Sequence, residues 1–223
     1  MNLKDKVILI TGASLGIGSE TAKLFAREKC KLVLTYYKDK TEGEKTAEEC
    51  KKLGTDVLLL QLNVMDNNNI INAVKHTVER FKKIDLLINN AGAIAWKPLL
   101  QQTNEDIEIQ IRTNLEGLIK LTKEAIPYIT EAIINVASSA GITAYAELAS
   151  YCATKFGVRG FTQAIAQEHP DLFIVNVNPG LTATRMTNFE GVPPLKVAEV
   201  ILKTANREYD VKTGGDVNVW EQI

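Results

Sequence analysis

A tyrosine and a lysine four positions apart, Tyr151 and Lys155, first indicate where this chain could perform chemistry. At the start of a helical pattern, this spacing places both side chains on one helix face. A phenol with a pKa of about 10 is a poor acid–base catalyst at neutral pH, but a nearby ammonium group favours the phenolate and lowers that pKa. The pair therefore predicts a general acid–base tyrosine. The alternative is a solvated helix surface, of which the neighbours Ala153 and Phe156 are not typical.

Two further polar residues have the chemistry to support such a tyrosine. Ser138 follows the apolar run 133–136, and its hydroxyl could bind a substrate oxygen as negative charge develops there. Asn114 lies inside a long helical pattern, where asparagine is unfavourable because its side chain competes for backbone groups. Its position predicts a buried hydrogen-bonding role, although an ordinary structural role stays open.

A glycine-rich turn, running from Thr11 to Gly18 with the spacing G-x-x-x-G-x-G, follows the first apolar run. Glycines allow a strand to turn sharply into a helix and let the backbone approach a ligand closely. The helix N-terminus then offers unpaired N–H groups to a pyrophosphate. The turn therefore predicts a dinucleotide site, whereas the alternative is that the glycines only permit close packing of the helix on the sheet.

The elements that must position these residues alternate between short apolar runs and longer helical patterns. Runs that are apolar on both faces are typical of strands buried in a parallel sheet. The predicted strands are 7–10, 32–35, 57–60, 86–88, 133–136, 173–177 and 217–219. The predicted helices are 17–28, 42–53, 67–81, 104–130, 151–168 and 194–207. The alternation predicts an α/β, doubly wound, mostly parallel seven-stranded sheet with helices on both faces. Since no linker or composition break interrupts residues 1–223, we expect one domain, with a short substrate loop at about 181–194.

Composition and charge exclude several classes of function. The 223 residues carry a net charge of −1, which predicts no nucleic-acid partner and no anionic membrane partner. Three cysteines without C-x-x-C spacing predict neither a disulfide framework nor a metal site, and favour a reducing compartment. The first residues lack the apolar run of a signal peptide, and no apolar stretch approaches the roughly 20 residues that span a bilayer. We therefore expect a cytoplasmic protein.

Together these motifs resemble the short-chain dehydrogenase/reductase family, in its non-extended branch, which contains the 3-oxoacyl-[acyl-carrier-protein] reductases and related ketoreductases. The turn from Thr11 to Gly18 is similar to the family's T-G-x-x-x-G-x-G motif. The segment 89–92 matches its N-N-A-G motif, and the segment 178–180 resembles its P-G segment. Asn114, Ser138, Tyr151 and Lys155 lie where the family's catalytic tetrad is expected. The resemblance covers nearly the whole chain and implies a Rossmann fold that binds NAD(P).

The resemblance implies an NAD(P)(H)-dependent oxidoreductase that interconverts a secondary alcohol and a ketone by hydride transfer. Tyr151 would exchange a proton with the substrate oxygen, and Ser138 would polarise the carbonyl. Lys155 would lower the pKa of Tyr151 and bind the nicotinamide ribose, and Asn114 would hold a water that links Lys155 to solvent. The implied cofactor contacts are Gly12, Ser14, Leu15, Gly16, Ile17, Gly18, Tyr36, Tyr37, Lys38, Asn63, Val64, Asn90, Ala91, Gly92, Tyr151, Lys155, Pro179, Gly180, Thr182 and Thr184.

The choice of cofactor is predicted from the end of the second strand, where an acid would bind the adenosine 2′-hydroxyl and repel a 2′-phosphate. Neither Tyr36 nor Tyr37 is acidic, and Lys38 is a cation, so NADP(H) is favoured and NAD(H) is the alternative. Asp39 partly offsets Lys38, and Leu15 stands where many NADP-binding relatives have a basic residue.

Substrate and assembly are less well specified. The expected partner is a small-molecule alcohol or carbonyl, and the apolar pocket residues would be Ile94, Trp96, Ala140, Tyr145, Leu148, Leu181 and Met186, unless these only pack the core. Apolar positions on the two long helices predict a homodimer or homotetramer, with core burial as the alternative. Two other functions compete: a sensor that binds the cofactor without turnover, and an epimerase or dehydratase of the extended branch. The filled tetrad disfavours the sensor, and the glycine spacing disfavours the epimerase.

Overall fold

The computed structural model describes residues 2–223, and the strands of that part of the chain form one sheet. The seven strands are β1 (Val7–Ile10), β2 (Lys31–Tyr36), β3 (Val57–Gln61), β4 (Ile84–Asn89), β5 (Ile129–Val136), β6 (Phe173–Asn178) and β7 (Asp216–Asn218). Their order in the sheet is β3-β2-β1-β4-β5-β6-β7. Every neighbouring pair is parallel. The prediction of a doubly wound α/β Rossmann fold is confirmed, and the described sheet is parallel throughout.

Helices cover both faces of the sheet because alternate strand residues point to opposite sides. The α-helices are α1 (Gly16–Arg27), α2 (Lys40–Lys52), α3 (Asn67–Phe81), α4 (Asn104–Ile111), α5 (Gly117–Ala125), α6 (Ala149–Glu168) and α7 (Pro194–Ala205). Ile8 of β1 belongs to a buried cluster with residues of α1, α2 and α7, whereas Leu9 belongs to a cluster with residues of α3, α5 and α6. None of the helices in residues 2–223 is long and apolar enough to cross a membrane.

The strand order reverses at β1, which lies between β2 and β4. In open parallel sheets a crevice forms outside the carboxyl ends of the strands at such a reversal, and ligands bind there. The glycine turn follows β1, Asn90 follows β4, and Ser138 lies two residues after β5. The fold therefore brings these three segments to one edge of the sheet.

The predicted helix 104–130 is too long at its C-terminal end and contains one turn of π-helix. The α-helix ends at Ile111, one turn of π-helix spans Arg112–Glu116, and α5 ends at Ala125 before β5 begins at Ile129. Gly117 lets this helix pass close to the segment after β3, since a Cβ there would lie 2.5 Å from the carbonyl oxygen of Val64. The π-turn contains Asn114, whose side chain bonds to groups outside the helix. Single π-helical turns of this kind are frequent at functional sites.

Candidate active site

One wall of the crevice is the turn that connects β5 to the residues before α6. Ser138 caps a short 3₁₀ turn, with its Oγ accepting a hydrogen bond from the backbone N–H of Ala140 at 3.1 Å. The N–H of Ser139 donates to the carbonyl oxygen of Pro179 at 2.8 Å, so the turn is tied to the segment after β6. These two contacts fix the backbone that carries Ser138.

The turn packs closely against α6, which carries the tyrosine and the lysine. A Cβ at Gly141 would lie 2.7 Å from the carbonyl oxygen of Lys155, so only glycine permits this approach. Lys155 is 5% exposed, and its Nζ donates to the carbonyl oxygen of Val136 at 2.9 Å. The same Nζ lies 5.6 Å from the centre of the partly buried Tyr151 ring. The structure therefore brings Ser138, Tyr151 and Lys155 together.

Burial has the largest effect on the pKa values of Tyr151 and Lys155. It raises the pKa of Tyr151 to about 12, and a hydrogen bond with Ser138 acts in the opposite direction. Burial also lowers the pKa of Lys155 to about 8. The pKa of Tyr151 is therefore not lowered as the sequence predicts, because the ammonium group is outweighed by the loss of solvent around both groups. Tyr151 thus retains its proton at neutral pH and is placed to donate it.

Asn114 is buried behind these residues and is bonded to the backbone on the other side of the crevice. Its Oδ1 accepts from the N–H of Ala93 at 2.7 Å, and its Nδ2 donates to the carbonyl oxygen of Ala93 at 2.8 Å. Nδ2 also donates to Thr154 Oγ1, which in turn donates to the carbonyl oxygen of Tyr151. Asn114 therefore links the segment after β4 to the helix of Tyr151. Its predicted water-holding role stays a prediction.

The opposite end of the crevice is the glycine turn. Gly12 and Gly16 have φ values of +63° and +55°, which favour glycine, and a Cβ at Gly18 would lie 2.2 Å from the carbonyl oxygen of Gly12. Asn90 Nδ2 donates to that same oxygen at 3.0 Å. No side chain caps α1 at Leu15, so its first N–H groups are available to an anion.

Between these two ends lies a cavity of about 710 Å³, within the range of small-molecule and cofactor sites. Most of the predicted catalytic and cofactor-binding residues line it: Gly12, Ser14, Leu15, Gly16, Ile17, Asn90, Ala91, Gly92, Ser138, Tyr151, Lys155, Pro179, Gly180, Thr182 and Thr184. The predicted cofactor contacts Gly18, Tyr36, Tyr37, Lys38, Asn63 and Val64 are not part of its lining, and neither is the predicted catalytic residue Asn114. Gly18 and Asn114 are buried directly behind the lining, whereas Tyr37 and Lys38 are exposed at the end of β2.

The loop after β6 forms part of this lining and is ordered by its own contacts. Thr182 pairs with Val192 in a β-bridge, and the N–H of Thr184 donates to Thr187 Oγ1. Of the predicted substrate residues, Ile94 and Met186 line the cavity, while Ala140 and Leu148 pack in a buried cluster. Arg185 and Phe189 lie in the predicted substrate loop but are not among the predicted site residues, Lys45 is outside every prediction, and all three line the cavity. The basic type and loop position of Arg185 were the only sequence signal for its presence there.

The chain is similar to known dehydrogenases in sequence, and to a solved one in fold. The family model for short chain dehydrogenases matches residues 6–191. A 3-oxoacyl-[acyl-carrier-protein] reductase from Synechocystis is 35% identical, covering 86% of this chain and 81% of that protein. An NADP-dependent 3-hydroxy acid dehydrogenase from Schizosaccharomyces pombe is 34% identical, covering 94% and 90%. The structure of a short chain dehydrogenase from Burkholderia cenocepacia in complex with NADP has the same fold, with a TM-score of 0.91 at 24% identity, over 98% of this chain and 97% of that one.

Proposed function

We propose that this chain, which belongs to the short chain dehydrogenase family, reduces 3-oxo substrates with NADPH and uses Tyr151 as the general acid. The proposal proceeds from the family's activity, that of an NAD(P)(H)-dependent oxidoreductase acting on CH–OH donors. The observation that carries this proposal is the position of Tyr151, Ser138 and Lys155 in the same cavity as the glycine turn. The 3-oxo class is supported by the relatives named for 3-oxoacyl and 3-hydroxy acid substrates.

The residues present fit a nicotinamide dinucleotide. Gly12 and Gly16 have positive φ values, which residues with side chains rarely adopt. The turn therefore carries no side chain at these two positions, next to the uncapped N-terminus of α1. The N-terminus of α1 suits the pyrophosphate, and the turn that carries Ser138 suits the nicotinamide end of the cofactor. When bound, the reduced cofactor supplies the hydride.

Tyr151 supplies the proton that accompanies the hydride. Because its pKa lies well above neutral, the hydroxyl is protonated before the reaction and moves its proton to the carbonyl oxygen as negative charge develops there. Ser138 orients the same oxygen by a hydrogen bond. The phenolate that remains is stabilised by the ammonium group of Lys155, which the carbonyl of Val136 holds in place.

We also propose that residues 1–223 act as one domain, that the protein is cytoplasmic, and that it forms a homodimer or homotetramer. The single sheet supports the first statement. Three free, buried cysteines support a reducing compartment. Ile111 of α4 and Phe156 of α6 are each 43% exposed, which supports association through these helices.

The test is the consumption of NADPH, followed by absorbance, with ketones that include a 3-oxoacyl thioester. Replacing Tyr151 by Phe removes the acidic hydroxyl and should lower kcat by about 10²–10⁴-fold, the usual contribution of a general acid. Tyr128→Phe is the matched control, because Tyr128 is 41% exposed and does not line the cavity. Equal kcat values for Tyr151→Phe and the wild type would overturn the acid role. Cofactor binding without turnover of any ketone or alcohol would favour the sensor.

A further inference from the structure

An ion pair joins two segments at the exposed end of the cavity. Arg185 Nη1 lies 2.9 Å from Asp39 Oδ2, although the two residues are 146 positions apart in the sequence. Arg185 lines the cavity, and Asp39 caps the N-terminus of α2 immediately after Lys38. The pair therefore connects the loop after β6 to the end of β2.

The backbone that carries Arg185 is held against the glycine turn. A Cβ at Gly16 would lie 3.0 Å from Thr184 Cγ2, so the residue before Arg185 packs directly on the N-terminus of α1. The bridge between Thr182 and Val192 closes the base of the same loop. From this backbone, which lies beside the N-terminus of α1, the Arg185 side chain reaches Asp39.

The charges at the end of β2 require such a cation if a 2′-phosphate is to bind there. An acid at the end of β2 ordinarily binds the ribose 2′-hydroxyl and repels the phosphate. Asp39 lies three residues after the end of β2 and would bring the same negative charge beside that phosphate. Leu15 brings no charge to the turn. The ammonium group of Lys38 lies over the Tyr37 ring at 5.1 Å from its centre. The guanidinium of Arg185 forms an ion pair with the Asp39 carboxylate.

We propose that Arg185 determines the choice of cofactor, by neutralising Asp39 and by offering its guanidinium to the 2′-phosphate of NADP(H). The inference rests on the proposed function and adds a specificity residue from the loop after β6. A guanidinium suits phosphate because its N–H groups form a planar fork. Both partners of the ion pair are more than a third exposed, so turning part of the guanidinium from the carboxylate to the phosphate costs little.

The test is a fluorescence titration that gives the Kd of NADPH and of NADH, without any turnover. Arg185→Leu should raise the Kd of NADPH by about 10- to 100-fold, as expected when a hydrogen bond between charged groups is lost, and should change the Kd of NADH less than about threefold. Adding Asp39→Asn to Arg185→Leu should restore part of the NADPH affinity, because the repelling carboxylate is then absent. Arg27→Leu is the matched control, since Arg27 is exposed at the far end of α1 and does not line the cavity.

The outcomes separate this inference from the proposed function. Unchanged Kd values for both cofactors in Arg185→Leu overturn the inference and leave the reductase intact. An equal loss of affinity for both cofactors also overturns it, because Arg185 would then serve a part that the two cofactors share. Binding of neither cofactor by the wild-type protein overturns both the inference and the proposed function.

Discussion

The two ends of the cavity hold their polar groups in different ways. At the tyrosine end, Asn114 and Lys155 are buried and bond to backbone carbonyl and N–H groups. At the end of β2, Lys38 is exposed, and Arg185 is 59% exposed in its side chain. Charges interact strongly where solvent is excluded and weakly where it is not. The first end is therefore suited to fixed geometry for a reaction, and the second to adjustable selection between similar ligands.

A second layer of contacts stiffens the tyrosine end. Arg159 donates to the carbonyl oxygen of Gly141 at 2.8 Å and pairs with Asp216 of β7 at 2.7 Å. Since Gly141 packs on the backbone of Lys155, this chain of contacts reaches from the edge strand to the helix of the lysine. Arg185, by comparison, forms its ion pair with Asp39 at the exposed end of the cavity. The contrast predicts that substitutions at the tyrosine end mainly reduce stability and turnover, and that substitutions at the end of β2 mainly change cofactor affinity.

The largest loss of stability is expected for Asn114→Ala. Both the N–H and the carbonyl of Ala93 then lose their partner, at a cost of about 1–3 kcal/mol for each unpaired group that stays buried. Urea unfolding measures the change, and kcat should fall with it because the support behind Tyr151 is lost. Asn68→Ala is the control, since Asn68 is exposed on α3. If both variants were as stable as the wild type, the tyrosine end would not be the rigid end.

A smaller, pH-dependent effect is expected at Lys155. Burial lowers its pKa from 10.5 to about 8, so between these values the unfolded chain binds the proton and the folded protein does not. Stability therefore rises with pH in that window and is lost as pH falls through about 8. Relative to Lys155→Met, the wild type should gain about 2 kcal/mol between pH 8 and pH 9.5, measured by urea unfolding of both proteins. A difference that does not change with pH would mean that Lys155 is not desolvated.

The same contrast separates what the sequence could predict from what it could not. Strands such as β1 and β4 follow from continuous apolar runs, and the glycine turn follows from spacing alone. The π-turn after Ile111 does not, because it is bonded to Ala93, which is distant in the sequence. The raised pKa of Tyr151 depends on burial, which no local pattern specifies. The contact of Arg185 with Asp39 depends on where a loop folds back, and no periodicity encodes that.

The smallest effect is expected for Lys38→Ala. Its ammonium group is exposed and lies over the Tyr37 ring, and exposed charge pairs contribute about 0.2–1 kcal/mol, so the Kd of NADPH should rise by no more than about fivefold. Fluorescence titration at low and high salt measures it, and salt should reduce the effect because it screens exposed charges. Lys40→Ala is the control, as Lys40 is exposed and pairs with Glu44. If Lys38→Ala lost more affinity for NADPH than Arg185→Leu, the residue that selects the cofactor would be Lys38, as the sequence predicts, and not Arg185.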